Sequence, residues 1–445
     1  MLLVIDDNMA VMDGLFLVLE PGNHMFKVIE GAHRRGLTVV VCHSAPVTPS
    51  GPFAEAMPCI SHFVQVAGWR NDEAAFETIV AWCGDRPVRG AYAGFEITLR
   101  MVCRLRQHYG LPGIDLEQMD FLLNKARVRD ALRKASLSNL GFMEDQALRQ
   151  LTEWPFPGRS AFLKPVNGSG STYVRRCSSL RDVHEHLAEW DGNVRHIRRF
   201  IADHLLAGQG MFLEEEAVGE LLSLEGYCHR GQYVHIGITD RTVLARDVAV
   251  EMGNTFPCPH PRRDEIIAKV RAIHACLEIT HGPTHTELIV PDDGGDIELV
   301  ELNARFAGGD ILVMIDRAFD IRIEDDLVTL ATGEGTLTTI PDKPVRYVSG
   351  QDFLAPAGLA TFDSIDIPGD DVFFKKVVVK PGTAMKSTDF QSDHVAAFAV
   401  AADTYAGALK RADEIRAATT INGNRLGDDP NNVVINYAEQ WLSSL

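Results

Sequence analysis

Several features are missing from this sequence, and each absence closes off a class of function. No stretch of about 18 uninterrupted apolar residues occurs, which is what a helix crossing a bilayer would need. The opening Met1-Leu2-Leu3-Val4-Ile5-Asp6-Asp7 has neither a positive leader nor a long apolar core, so no signal peptide is expected there. No basic run of five or more residues appears and the formal net charge is −18. A nucleic-acid-binding face needs dense positive charge, so neither a nucleic acid nor a membrane is an expected partner. The eight cysteines include no C-x-x-C pair. That favours reduced thiols in a cytoplasmic protein over a disulfide framework or a zinc site. His281 and His285 are four residues apart, but Gly282 and Pro283 forbid the helix that would align them on zinc. No G-x-G-x-x-G follows the first apolar run, which disfavours a dinucleotide site. Internal repeats and low-complexity stretches are absent too.

What is present suits a folded protein of two or three domains. The 445 residues give ample core, and 46% hydrophobic with 23% charged residues excludes wholesale disorder. Residues 1–112 read as alternating strand and helix: apolar Leu2–Asp6, amphipathic His24–Arg35, then strands at Leu37–Cys42, His62–Val66 and Val88–Tyr92. Helices fall around Asp72–Cys83 and Glu96–Tyr109. This alternation implies a doubly wound parallel sheet. Leu111-Pro112-Gly113 closes that domain, and a helical stretch runs from Leu116 to about Leu132. A second domain is expected over 113–325. Within it, Trp154-Pro155-Phe156-Pro157-Gly158 is a stiff connector into a small mobile flap spanning about 155–218. Residues 326–445 form a third, β-rich part with short runs at Val345–Val348 and Val372–Val379. It ends in a helix from Asp403 with Ala408, Leu409, Ala412 and Ile415 on one face.

The most informative segment lies near residue 290. Two apolar-alternating runs, His281–Val290 and Ile297–Arg305, flank Pro291-Asp292-Asp293-Gly294-Gly295, the pattern of a β-hairpin. A turn centred on Gly294 sets Glu287 opposite Glu301 and His285 opposite Asn303. Alternation then projects His285, Glu287, Glu301, Asn303 and Arg305 from one side. Directly opposed carboxylates repel, so a cation between them is expected. Two carboxylates and an amide oxygen are hard ligands suited to magnesium held together with a substrate's phosphates. The competing reading is a pair of solvated glutamates on an exposed face.

Other segments are less specific. Lys164-Pro165-Val166-Asn167-Gly168-Ser169-Gly170-Ser171 is a strand end running into a Gly/Ser loop whose N–H groups and hydroxyls suit phosphate oxygens. Its lysine precedes the glycines, unlike a Walker A loop, and a plain turn is the alternative. Lys125, alone, reads as a surface lysine. Glu214-Glu215-Glu216, alone, reads as a solvated acidic run, although Met211-Phe212-Leu213 precedes it.

Glu301-Leu302-Asn303-Ala304-Arg305 resembles the E-x-N-x-R segment of the ATP-grasp superfamily. Gly282-Pro283-Thr284-His285-Thr286-Glu287 is similar to the G-x-x-H-x-E segment of its carboxylate–amine ligases, which include the L-amino-acid ligases. The resemblance implies an α/β ATP-grasp fold with an N-terminal pre-ATP-grasp domain, a small flap and a β-rich C-terminal part. It implies ATP and magnesium, two ions with manganese as a substitute, held by Glu287, Glu301 and Asn303. Arg305 would meet the anionic tetrahedral centre, with His285 beside it among the catalytic residues. Lys125, within Asn124-Lys125…Arg129, and Lys164 would contact phosphates, together with Gly168, Ser169, Gly170 and Ser171. Glu214, Glu215, Glu216 and Ala217 match the hinge that reads adenine. The acid that takes the ribose hydroxyls would normally fall on Leu221, and Glu220 stands one residue early. The implied reaction joins a small amino-acid-like carboxylate to an amine through an acyl phosphate, in a homodimer. Two alternatives keep part of this reading: a biotin-carboxylase-like or purine-pathway enzyme using bicarbonate or formate, and a non-catalytic nucleotide-binding regulator. Gln351, Phe353 and Met314 are candidate linings of the substrate pocket.

Overall fold

A computed structural model of the chain describes residues 13–22, 25–44, 52–69, 72–168, 170–171, 173–193, 210–385, 393–429 and 432–442. Five consecutive apolar residues, Leu15–Leu19, form β1, and all five are buried. A run without polar alternation suits a strand covered on both faces. β1 pairs in parallel with β2 (Thr38–His43) and β4 (Val88–Ala93), and β2 with β3 (His62–Gln65), giving the order β3-β2-β1-β4. Helices α1 (Met25–Arg34), α2 (Asp72–Cys83) and α3 (Glu96–Tyr109) complete this doubly wound unit. In α1 the residues Met25, Val28, Ile29 and Ala32 recur at helical spacing and are buried. Among the described residues the first strand is therefore Leu15–Leu19, which the sequence reading passed over. Leu2–Asp6, expected in that role, lies outside the described residues.

The single helix expected over Leu116–Leu132 is two, α4 (Leu116–Leu122) and α5 (Lys125–Lys134). Asn124 makes the break. Its side chain accepts the Arg127 N–H at 2.9 Å as the N-cap of α5, which sets Lys125 at the first helical position. A four-stranded antiparallel sheet follows in the order β5-β8-β6-β7, built from β5 (Phe142–Glu144), β6 (Ala161–Pro165), β7 (Arg175–Cys177) and β8 (Met211–Glu215). Helix α6 (Leu180–Asn193) covers it, with Val183, Leu187 and Trp190 against Leu163 and Leu213.

The largest sheet is antiparallel with nine strands among the described residues. Its members are β9 (Glu220–His229), β10 (Gln232–Leu244), β11 (Asp247–Phe256), β12 (Gly282–Val290), β13 (Glu298–Asn303), β14 (Tyr347–Phe353), β15 (Phe374–Val377), β16 (Ala396–Ala402) and β17 (Val434–Asn436). The order is β13-β12-β9-β10-β11-β14-β16-β15, with β17 paired to β10. Helices α7 (Arg263–Cys276) and α10 (Tyr405–Ala418) cover one face, and α8 (Ile311–Phe319) and α9 (Ile323–Thr332) the other. Strand parity shows why the sheet can be both a core and a site. Even-numbered Leu222 and Leu224 of β9 pack with Ile266 and Val270 of α7, while odd-numbered Ser223 and Glu225 face the other way. Ala408, Leu409, Ala412 and Ile415 are buried as their spacing implies. Among the described residues no helix is long and apolar enough to cross a membrane.

Candidate functional site

β12 and β13 form the hairpin, and Glu287 pairs with Glu301 and His285 with Asn303 as the sequence implies. The register is not uniform, however. Nearer the turn Leu288 pairs with Leu299 and Ile289 with Glu298, so Val300 is an inserted residue and the strand carries a bulge. Burial would raise the Glu287 carboxyl. A hydrogen bond and charge from His285, then Arg241 and Arg305, instead pull it down to about 2, so it is firmly anionic. Glu301 Oε1 lies 2.9 Å from Lys125 Nζ. Among the described residues no group of three or more His, Cys, Asp or Glu side chains could hold a metal ion unaided. Two carboxylates with the Asn303 amide oxygen are a donor set that fits magnesium carried in by a nucleotide, since that ion keeps waters and phosphate oxygens as its remaining ligands.

Of the expected phosphate-contacting residues, Lys125 and Gly168 line one cavity with Glu96, Glu214, Glu301 and Asn303. Lys125 Nζ also donates to the Gly168 carbonyl at 2.7 Å, tying α5 to the Gly/Ser loop. Gly170 has φ of +60°, a left-handed conformation that suits glycine, and Ser171 follows at +52°. Ser169 lies outside the described residues. Lys164 is buried and donates to Glu214 Oε2 at 2.5 Å. Arg129 Nε donates to the other oxygen of Glu214. Burial opposes ionisation of Glu214, but these two cations hold its carboxyl below the ordinary range.

Arg305 is half-buried and packs against Glu96 at the start of α3. Its Nε donates to Glu96 Oε1 at 2.6 Å, NH2 donates to the same oxygen, and NH1 donates to the Phe306 carbonyl at 2.9 Å. Three of about five N–H donors are thereby used to orient the fork, which leaves two for an incoming oxygen. His285 is held differently. Its Nδ1 meets Glu225 Oε2 at 2.8 Å and its Nε2 meets Glu287 Oε1 at 3.0 Å. Burial would lower its pKa, but Glu225, by charge and hydrogen bond, and Glu287 raise it to about 9. Arg241 NH2 approaches the same Nε2 at 3.0 Å, a close contact of two cations that Glu225, Glu251 and Glu287 offset. With both ring nitrogens occupied by protein carboxylates, His285 has the geometry of a positioning residue.

The sequence reading missed Glu96, Glu225, Arg241 and Glu251. For Glu225 and Arg241 there was a signal: ionisable residues in step with Ser223 and Thr239, at period two along their strands. Glu96 carried none, because its partner is Arg305, 209 positions away.

The hinge residues divide. The Glu215 and Glu216 N–H groups donate to the carbonyls of Gly141 (2.8 Å) and Ser160 (2.9 Å), and their carboxylates meet Arg159 and Arg176. Ala217 opens the link to β9, and among the described residues nothing accepts its N–H. Glu220 is a correction. It lies on the even face of β9, away from Ser223 and Glu225, only 2% exposed. Its Oε2 accepts from Trp441 at 2.9 Å and lies 3.1 Å from His260 Nε2. No ribose could reach it, and Leu221 holds the site-side position. Phe353 and Met314 are core residues, and Gln351 is bonded to Asp413 and Arg416, so none of these three lines a substrate pocket.

Residues 159–313, which hold the Gly/Ser loop, the hinge and the hairpin, match the ATP-grasp domain family. Over 311 residues, 66% of this chain, the sequence is 27% identical to uncharacterized protein y4rH of Sinorhizobium fredii. That match spans 59% of the relative, less than two thirds of its length. The chain is 21% identical to alanine–anticapsin ligase of Bacillus subtilis over 68% of this chain and 71% of that one. The fold is similar to the crystal structure of L-amino acid ligase from Bacillus licheniformis, with a TM-score of 0.77 at 19% identity over 92% of this chain and 98% of that one. It is also similar to the biotin carboxylase domain of Hydrogenobacter thermophilus 2-oxoglutarate carboxylase, a complex with MgADP and bicarbonate. There the TM-score is 0.66 at 15% identity, over 91% and 90% of the two chains. The chain thus carries an ATP-grasp domain within an ATP-grasp fold.

Proposed function

We propose that this protein is an ATP-dependent carboxylate–amine ligase that joins a small amino-acid-like acid to an amine, a second amino acid, releasing ADP and phosphate. The observation that carries the reading is the opposed pair Glu287 and Glu301 beside Asn303, with Lys125 and Arg305 at the same cleft. A carboxylate oxygen of the acid attacks the γ-phosphorus, the bond to the bridging oxygen breaks, and ADP leaves with that electron pair. The amine nitrogen then attacks the acyl carbon, phosphate departs, and the nitrogen loses its proton. Magnesium, held by Glu287, Glu301 and Asn303, would supply neutralisation of the phosphate charge. Lys125 and Lys164 bind and orient the phosphates, and the Ala217 N–H is the hinge donor free to read the adenine edge. Arg305, pre-aimed by Glu96, presents its two remaining donors to the oxyanion of the second step. Gly168, Gly170 and Ser171 close over the acyl phosphate and keep water from it.

The same reading places the protein in the cytoplasm, as a homodimer, with domains at 1–112, 113–325 and 326–445. A bicarbonate-dependent reaction is the second reading, favoured by the likeness to the biotin carboxylase domain. Phosphate release, read with product mass across pairwise amino-acid mixtures and with a bicarbonate arm, tests both. Phosphate and an amide-linked product from a particular pair support the ligase. Release that needs bicarbonate and yields no amide overturns it.

A further inference from the structure

Leu299 and Glu301 stand two residues apart in β13, and on a regular strand both would point to the same face. They do not. Leu299 pairs with Leu288 and joins the core with Leu222, whereas Glu301 pairs with Glu287 at the cleft. The inserted Val300 is what separates them, because a bulge re-aims the side chains beyond it. Among the described residues β13 is also the edge strand of its sheet, so no neighbouring strand among them holds the bulge on its outer side. Arg129 takes that place. Its NH2 donates to the Leu299 carbonyl, immediately before the insertion. The rest of its guanidinium is equally committed: Nε to Glu214, and NH1 to Ser138 Oγ at 2.9 Å and Glu298 Oε2 at 3.4 Å. Glu298 is fixed in turn by the Ser138 hydroxyl at 2.6 Å and the Asn139 N–H at 2.9 Å. One turn earlier on α5, Lys125 meets Glu301 just past the insertion. Helix α5 therefore fastens β13 on both sides of the bulge.

We infer that Arg129 is a positioning residue that sets the cleft's affinity for its divalent ion, by holding the bulge that turns Glu301 toward Glu287. This rests on the reading of Glu287 and Glu301 as metal ligands. Arg129 touches no reacting atom itself. It is only 3% exposed, and because it also grips Glu214, the hinge and the metal hairpin share one guanidinium. A lysine there could keep one carboxylate but could not also span the carbonyl and the hydroxyl.

The test is Mn2+ binding to the intact protein in the presence of ADP, followed by the loss of the free-ion electron paramagnetic resonance signal. Metal-free melting temperature is measured alongside. Arg129→Lys is expected to weaken Mn2+ binding roughly tenfold or more, the size typical of losing a group that orients a metal ligand. Ser138→Ala, which slackens the same guanidinium without removing it, shifts affinity less and in the same direction. It carries the test if Arg129→Lys does not fold. Glu301→Gln serves as the reference that removes a ligand outright. Unchanged Mn2+ affinity in the Arg129 and Ser138 variants, with or without a lower melting temperature, overturns the role of Arg129 if Glu301→Gln loses the ion. If Glu301→Gln binds Mn2+ as well as the natural sequence does, the metal reading itself fails.

Discussion

Replacing Arg305 with lysine separates a transition-state role from simple charge. The guanidinium gives two donors to Glu96 and one to the Phe306 carbonyl, so its plane is fixed before any ligand arrives. Lysine keeps the positive charge and can keep one contact to Glu96. It loses the planar fork that leaves two further donors at a set angle. Donors aimed at a developing oxyanion typically contribute about 3–4 kcal/mol, so kcat should fall roughly 10²–10³-fold. ATP affinity should barely change, because the phosphates have Lys125, Lys164 and the loop from Gly168 to Ser171. The assay is steady-state phosphate release with ATP varied at saturating amine and acid, together with direct ADP titration. Arg305→Lys with an unchanged kcat and strongly weakened ATP binding would make Arg305 a ground-state nucleotide ligand and refute the reasoning.

Glu301→Ala should abolish turnover while the metal-free protein stays folded. Opposed carboxylates alone would suggest a gain in stability, but Lys125 already neutralises Glu301 at a partly exposed contact worth at most about 1 kcal/mol. Its melting temperature should therefore move little, and a variant that fails to fold or keeps full activity counts against the assignment. Glu220→Gln should leave the KM for ATP unchanged, since Glu220 faces His260 and Trp441 rather than the cleft; a KM raised several-fold would restore it to the ribose. His285 gives a pH signature in metal-free protein. Its pKa is raised to about 9 in the fold, above the ordinary value of about 6.5. Its contribution is thus fully present below about 6.5 and lost as pH rises through about 9. A melting temperature plotted against pH should decline across that window and flatten there in His285→Gln; an identical slope in both proteins would show that another group titrates.

The hairpin was legible because two signals agreed: alternation on each strand, and a Pro/Asp/Gly turn that fixed which residues could meet. Even so, the pairing of Glu287 with Glu301 holds only because Val300 is inserted, and nothing in the local alternation announces a bulge. The doubly wound N-terminal unit was legible in its later strands. Its strand Leu15–Leu19 was not, because an isolated five-residue apolar run does not declare itself a strand, and only its pairing with Thr38–His43 and Val88–Ala93 does so. Asn124 is a good N-cap by type, yet the helical pattern on both sides of it concealed the break. Glu220 was misplaced by parity: its spacing from the hinge is one residue short, and one residue on a strand is a change of face. Glu96, Arg129 and Arg241 act through partners distant in sequence, so their roles depend on the folded chain.

Oxygen-18 placed in the substrate carboxylate tests the acyl-phosphate route most directly. If the carboxylate attacks the γ-phosphorus and phosphate later departs from the acyl carbon, one labelled oxygen must end up in inorganic phosphate, in step with the amide formed. Mass analysis of phosphate, ADP and product after a single turnover reads this. Label in phosphate at one atom per amide is the expected result, and label in AMP, or unlabelled phosphate accompanying amide formation, would contradict it.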